Sequence, residues 1–236
     1  NRVFRRRLTA TVWGAWREAI NVNQATAEGD IPYRGAADWA RLAKGSDGQI
    51  LKLVAGIPAW ATESSRVLLA TKAASASATL DFTEFNNATY TMYEFELFYV
   101  LPVTDNTNLL MRTSTDAGAT YDAGASDYMF SVTTKGAGTE DDSYDSAGAT
   151  AIGLAEGVGN AAGEKGVCGR IILFGAPSAT RAVVRTELSS FRALDGFLDL
   201  IQGAGTRLAD QDTTAVRFLM SSGNITSGTI RMYGVI

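Results

Sequence analysis

From Met92 to Tyr99 the side chains alternate: Tyr93, Phe95, Leu97 and Tyr99 fall on one face of an extended segment, Met92, Glu94, Glu96 and Phe98 on the other. A side-chain period of two marks a half-buried strand. Pro102 removes a ladder donor and so signals the strand's end or a bulge. Asp105-Asn106-Thr107-Asn108 carries turn chemistry, because short Asx side chains tolerate left-handed backbone and bond to it locally. Leu109–Ser114 then supplies a return strand. The stretch from Tyr90 to Tyr128 reads as a β-meander, and it sets an all-β class for the rest.

Similar short strands are expected near residues 66–73, 78–82, 128–134, 149–154, 167–174, 181–191, 196–202, 216–221 and 229–235. Gly-, Asp- and Asn-rich turns separate them, such as Asp116-Ala117-Gly118, Asp122-Ala123-Gly124 and Ser222-Gly223-Asn224. Glycine is abundant (24 residues) and proline scarce (4), which fits many short strands joined by small-residue turns. The reading for 66–236 is an antiparallel β-sandwich, jelly-roll-like in form.

Residues 1–65 differ. They hold every tryptophan of the chain: Trp13, Trp16, Trp39 and Trp60. Leu8, Val12, Trp16 and Ile20 recur at spacings of four and suit one short amphipathic helix, although β-branched Thr9, Thr11 and Val12 disfavour it. Arg5, Arg6 and Arg7 precede that segment, and residues 1–30 read as a docking arm in which these arginines, Trp13 and Trp16 meet a partner surface. Residues 31–65 form a second small unit with a turn at Gly45–Gly48, a strand from Gln49 to Val54, and a turn at Gly56-Ile57-Pro58. Trp60 closes it. So short a segment cannot bury a core alone, so its aromatic groups imply packing against something else, most simply copies of itself.

The composition narrows the chemistry. Net charge is −4, too small to argue for nucleic acid or an acidic membrane surface. Histidine is absent and Cys168 is the lone cysteine, which leaves no internal disulfide, imidazole base or Cys/His zinc cluster. Cys168, in Gly-Val-Cys-Gly-Arg-Ile-Ile-Leu-Phe, reads as a small core hydrophobe. No apolar run is long enough to span a bilayer, and the basic N-terminal stretch lacks the apolar segment of a secretory leader.

Several constellations carry residue types that could do chemistry. Glu94 and Glu96 share a strand face, the pairing that glycosidases use, but nothing beside them signals a raised pKa, and no catalytic residue is assigned. Glu140-Asp141-Asp142-Ser143-Tyr144-Asp145 lacks the spacing of a calcium loop and reads as a mobile acidic loop, so neither metal nor cofactor is expected. Gly157 to Lys165 has neither phosphate-loop spacing nor a strand-then-helix frame. Tyr121, Asp122, Asp127, Tyr128 and Tyr144 lie in or beside Gly/Asp-rich loops. There, aromatic faces can stack on a sugar ring and carboxylates can accept hydrogen bonds from its hydroxyls.

The segment Trp-Ala-Arg-Leu-Ala-Lys-Gly-Ser-Asp-Gly-Gln-Ile-Leu-Lys-Leu, closed by Pro-Ala-Trp-Ala, resembles a short module common in tail fibres and spikes of tailed bacteriophages. The likeness runs from Trp39 to Ala61 and rests on Gly-x-Asp-Gly-Gln together with Pro-x-Trp. It implies a small β element that trimerises through Trp39, Asp47, Gly48, Gln49, Ile50, Leu51 and Trp60. The segments Tyr-Glu-Phe-Glu-Leu-Phe-Tyr-Val-Leu-Pro-Val-Thr-Asp, Gly-Val-Cys-Gly-Arg-Ile-Ile-Leu-Phe and Phe-Leu-Met-Ser-Ser-Gly-Asn-Ile-Thr-Ser-Gly also resemble a β-sandwich at the ends of phage fibres and of spikes on phage-like particles. That likeness spans about 66–236. It implies a homotrimeric, non-enzymatic virion appendage, attached to other virion proteins through its N-terminal segment and touching host-surface glycans. Rival readings are a capsid or neck decoration protein, a polysaccharide-degrading spike, and a cellular carbohydrate-binding module.

Overall fold

A computed structural model of the chain describes residues 27–62, 66–137, 141–177 and 180–236, and the backbone of the pairs 4–5, 8–9, 12–13 and 17–18. The chain forms two compact units, residues 1–64 and 65–236. Among the described residues there is no helix, and every strand pairing is antiparallel.

The first unit is a series of two-stranded ribbons. Phe4–Arg5 (β1) pairs with Arg17–Glu18 (β4), and between them Leu8–Thr9 (β2) pairs with Val12–Trp13 (β3). The helix expected from Leu8 and Val12 is therefore corrected to strand at those positions, where β-branched Thr9 and Val12 favour extended backbone. Arg6, Arg7, Trp16 and Ile20 lie outside the described residues. Ile31–Arg34 (β5) pairs with Trp39–Leu42 (β6), and Gln49–Val54 (β7) with Ile57–Thr62 (β8). The turn of this last hairpin is Ala55–Gly56, both left-handed (φ 50° and 80°), the geometry that matches strand twist in two-residue loops. Ile57 and Pro58, expected in the turn, instead open β8.

The second unit holds Arg66–Ala73 (β9), Thr79–Phe82 (β10), Met92–Pro102 (β11), Thr107–Ser114 (β12), Tyr128–Gly136 (β13) and Asp141–Ala149 (β14). It continues with Ile152–Val158 (β15), Val167–Phe174 (β16), Val183–Phe191 (β17), Leu198–Arg207 (β18), Ala215–Met220 (β19) and Ile225–Val235 (β20). One sheet has four strands in the order β10-β19-β12-β15, the other eight in the order β14-β13-β18-β17-β16-β11-β20-β9. Their apolar faces form one core, a β-sandwich arrangement. At its centre Phe82 and Phe218 of the smaller sheet meet Phe95 of the larger, edge to face, with ring centroids 5.3 to 5.9 Å apart. All three are fully buried, and each such ring contributes about 1.5–3 kcal/mol by leaving water.

Three sequence expectations change here. The meander does not form: β11 and β12 belong to opposite sheets, so residues 103–106 cross the sandwich instead of closing a hairpin. From Asp141 onward the acidic stretch is no loop, because Asp141–Ala149 is strand β14, paired on one side only with β13; Glu140 lies outside the described residues. An edge strand needs one ladder only, and charge there discourages further pairing. The alternation of β11 also breaks. Its register shifts between Leu97 and Val100, a β-bulge that exposes Phe98 and Tyr99 in succession, so Tyr99 leaves the buried face shared by Tyr93, Phe95 and Leu97.

Candidate functional site

In the small unit, the β7–β8 hairpin is apolar on both faces. Leu51, Leu53 and Val54 are 48%, 70% and 51% exposed, and Ile50 and Ile57 are also exposed. Leu51 stands opposite Trp60, Ile50 opposite Ala61, and Val54 opposite Ile57. The polar residues of the expected module shape the turn before the hairpin. The Gln49 side chain accepts from the Ser46 N–H at 2.7 Å, and Gly48, beside Asp47, is left-handed at φ 81°. The Trp60 indole donates to the Ala43 carbonyl at 2.6 Å and lies where a Cβ on Gly45 would stand only 2.8 Å from the ring. Trp39 is half-buried on β6, and its N–H is bound by the Asp38 carboxylate at 2.8 Å. Arg5 and Trp13, assigned to docking, lie in β1 and β3.

Three of the five expected glycan-contacting residues, Tyr121, Asp122 and Asp127, share the loop before β13, and Tyr128 opens that strand; all four brace the loop itself. Tyr128 is fully buried, its hydroxyl accepting from the Thr113 N–H at 2.8 Å and donating to the Asp122 carbonyl at 3.1 Å. It is a core ring and cannot stack on a ligand, a correction that follows from its inward position on β13. Tyr121 carries the Arg217 guanidinium 4.1 Å from its ring centroid, and Arg217 in turn forks onto Asp81 at 2.8 and 2.6 Å. Asp122 pairs with buried Arg207 at 2.5 Å. Burial raises the Asp122 carboxyl above its ordinary value, and Arg207 offsets part of that rise. Asp127 accepts from the Gly124 N–H and closes a tight turn. Tyr144 lies on β14, against Phe130 at 4.7 Å, with Gly153 leaving room for both rings.

The remaining constellations are also occupied. Arg66 reaches both Glu94 (3.0 Å) and Glu96 (2.7 Å), and the Tyr233 hydroxyl donates to Glu96 at 3.1 Å. In the glycine-rich stretch the Glu164 carboxylate accepts from the Ala161 N–H at 2.7 Å, so an acid already sits in that loop. Among the described residues no three His, Cys, Asp or Glu side chains are placed to hold a metal ion.

Sequence reasoning missed a groove on the outer face of the larger sheet, lined by Glu96, Phe98, Tyr99, Cys168, Gly169, Arg170 and Glu187. Cys168, expected in the core, is only half-buried there and accepts from the Tyr99 N–H at 3.3 Å. Glycines crowd the bulge: a Cβ on Gly228 would lie 2.5 Å from the Tyr99 carbonyl, and one on Gly166 would overlap the Val100 carbonyl. The detectable signal was the pair Phe98-Tyr99 ending a strict alternation, together with glycines on both neighbouring strands. Comparison with known protein families, curated proteins and solved structures finds no match.

Proposed function

We propose that this chain is a non-enzymatic structural component of a phage or phage-like virion, a homotrimeric fibre or spike that displays its β-sandwich for attachment to host-surface glycans. In this reading residues 1–30 dock onto other virion proteins and the β7–β8 unit holds the trimer together. The observation that carries it is that hairpin, whose apolar side chains are exposed on both faces. A two-stranded ribbon is at best marginally stable alone in water, and this one leaves its apolar surface for neighbours to cover.

The second unit takes the jelly-roll form in this proposal. Its supporting pattern is nested pairing: β9 with β20, β10 with β19, β11 with β16, and β12 with β15. Strands β13, β14, β17 and β18 then extend one sheet. Attachment acts through avidity, since weak sites repeated by symmetry bind together far more tightly than one alone.

Light scattering tests the proposal on the full chain and on residues 65–236. A trimer that weakens or disappears when the first 64 residues are removed is the expected result. Strict monomers in both samples would overturn it and leave a decoration protein or lone binding module as the better reading.

A further inference from the structure

Tyr99 is the starting point. Its φ of 53° is a left-handed conformation that bulky side chains rarely adopt, yet the ring is 60% exposed, so core packing does not explain it. The surroundings hold it there, through the Cys168 thiol on its N–H and the glycines that let β20 and the chain before β16 approach the bulge. Strain enforced by neighbours is a feature of binding and catalytic sites. The bulge delivers two consecutive aromatic rings, Phe98 and Tyr99, to one rim of a groove of about 500 Å3.

Besides Leu97 and Cys168, the rest of the groove carries charges of both signs, Glu96, Arg170 and Glu187. Glu187, Arg170, Glu96 and Arg231 stand in register on four neighbouring strands, a row of alternating sign. Arg170 reaches Glu187 at 2.8 and 2.9 Å, Glu96 is held by Arg66 and Tyr233, and Arg231 lies 4.9 Å from the Phe98 ring centroid. Gly169, beside Arg170, lets the β17 backbone close in, since a Cβ there would overlap the Glu187 carbonyl. An anionic ligand would meet Glu96 and Glu187, and a cationic one would meet Arg170. Hydroxyl groups can serve both, donating to the carboxylates and accepting from the guanidinium. The apolar face of a sugar ring suits the exposed tyrosine. A second groove, lined by Met129, Val183, Ala204 and Thr206 with Asp145, lacks an exposed aromatic ring and a cation.

We propose that this groove is a binding site for neutral pyranose sugars, with the Tyr99 ring as stacking platform and the Arg170–Glu187 pair as the hydroxyl-binding element. This inference rests on the attachment reading above and gives it a site and a ligand class.

The test is binding of the labelled 236-residue chain to a printed array of neutral gluco-, manno- and galacto-configured oligosaccharides beside sialylated and sulfated ones. Tyr99→Asn, Arg170→Gln, Tyr121→Phe and Tyr144→Phe variants are run in parallel, with thermal melts as a folding control. Asparagine tolerates left-handed backbone, so Tyr99→Asn should melt no lower than the parent. The expected result is binding to neutral glycans that falls about tenfold or more in Tyr99→Asn and in Arg170→Gln, and is unchanged in the other two. Neutral-glycan binding that survives both groove variants would overturn the site and leave the attachment reading standing. Binding confined to acidic glycans would overturn the ligand class. A trimeric chain that binds no glycan on the array would overturn the site together with the glycan part of the attachment reading.

Discussion

Gly153 shows how tightly single positions are set in this sandwich. A Cβ there would overlap the Tyr144 ring and lie 2.6 Å from Phe130, both part of the packing beneath β14. Gly153→Ala is expected to destabilise the second unit by roughly 1–3 kcal/mol, the usual cost of overpacking, read as a lower denaturant midpoint. Asp116 is set differently. The Ser114 and Thr120 hydroxyls each donate to its carboxylate at 2.6 Å, which with the Thr120 N–H at 2.9 Å lowers its carboxyl from 3.8 to about 2. A carboxyl lowered by folding supplies stability that is present above its unfolded value and lost as pH falls through the folded one. Amide protection across residues 114–120, relative to the unstructured exchange rate at each pH, should therefore fall as pH drops from 3.8 towards about 2, and Asp116→Asn should abolish that step. At this scale the sequence was a poor guide to function. Tyr128 looks like its loop neighbours in a string of letters, and only its register on β13 turns the ring inward. Tyr99 reads as sharing a face with Tyr93, Phe95 and Leu97, and one bulge reverses the parity that an alternating pattern relies on.

Elements were more legible than residues. Each strand expected in 66–236 has a counterpart, because apolar alternation reports burial directly and burial is what holds those strands. Strand β14 was hidden because Asp, Gly, Ser and Ala have weak strand preference. Its pairing comes from β13 alone. The meander was misread for a related reason: a short turn-like connection is equally compatible with pairing and with crossing to the opposite sheet. The β7–β8 hairpin was legible as an element, and its exposure on both faces gives the clearest prediction at this scale. Leu53→Asp places a charge on a side chain that is 70% exposed in the single chain, so it should leave the sandwich's melting transition unchanged. If copies cover that face, the same substitution should shift the mass measured by light scattering from trimer towards monomer.

Across the whole second unit, carboxyl groups pull stability in opposite directions with pH. Burial acts against the Asp81 charge, but the Arg217 fork outweighs it and lowers the carboxyl, so Asp81 and Asp116 both lose stabilising charge in acid. Burial raises Asp199, Glu156 and Asp122, with Arg192 and Arg207 partly offsetting Asp199 and Asp122, and Asp142 adding repulsion at Glu156 and Asp199. A raised carboxyl contributes stability that is complete below its unfolded value and lost as pH rises through the folded one. Thermal melts should consequently peak at weakly acidic pH and decline towards neutrality. Asp199→Asn, which removes a carboxylate only 1% exposed, should flatten the decline.

The first and last strands of the sandwich, β9 and β20, are ladder partners, with Arg66 opposite Val235. Tension drawn between those two residues would unzip the edge of the sheet one hydrogen bond at a time. A tug received at Tyr99 meets a different mechanical situation, because β11 is laced to β16 on one flank and β20 on the other. The surface that would grip a ligand is anchored in the fabric of the sheet, and its easily peeled seam lies along the opposite margin of β20.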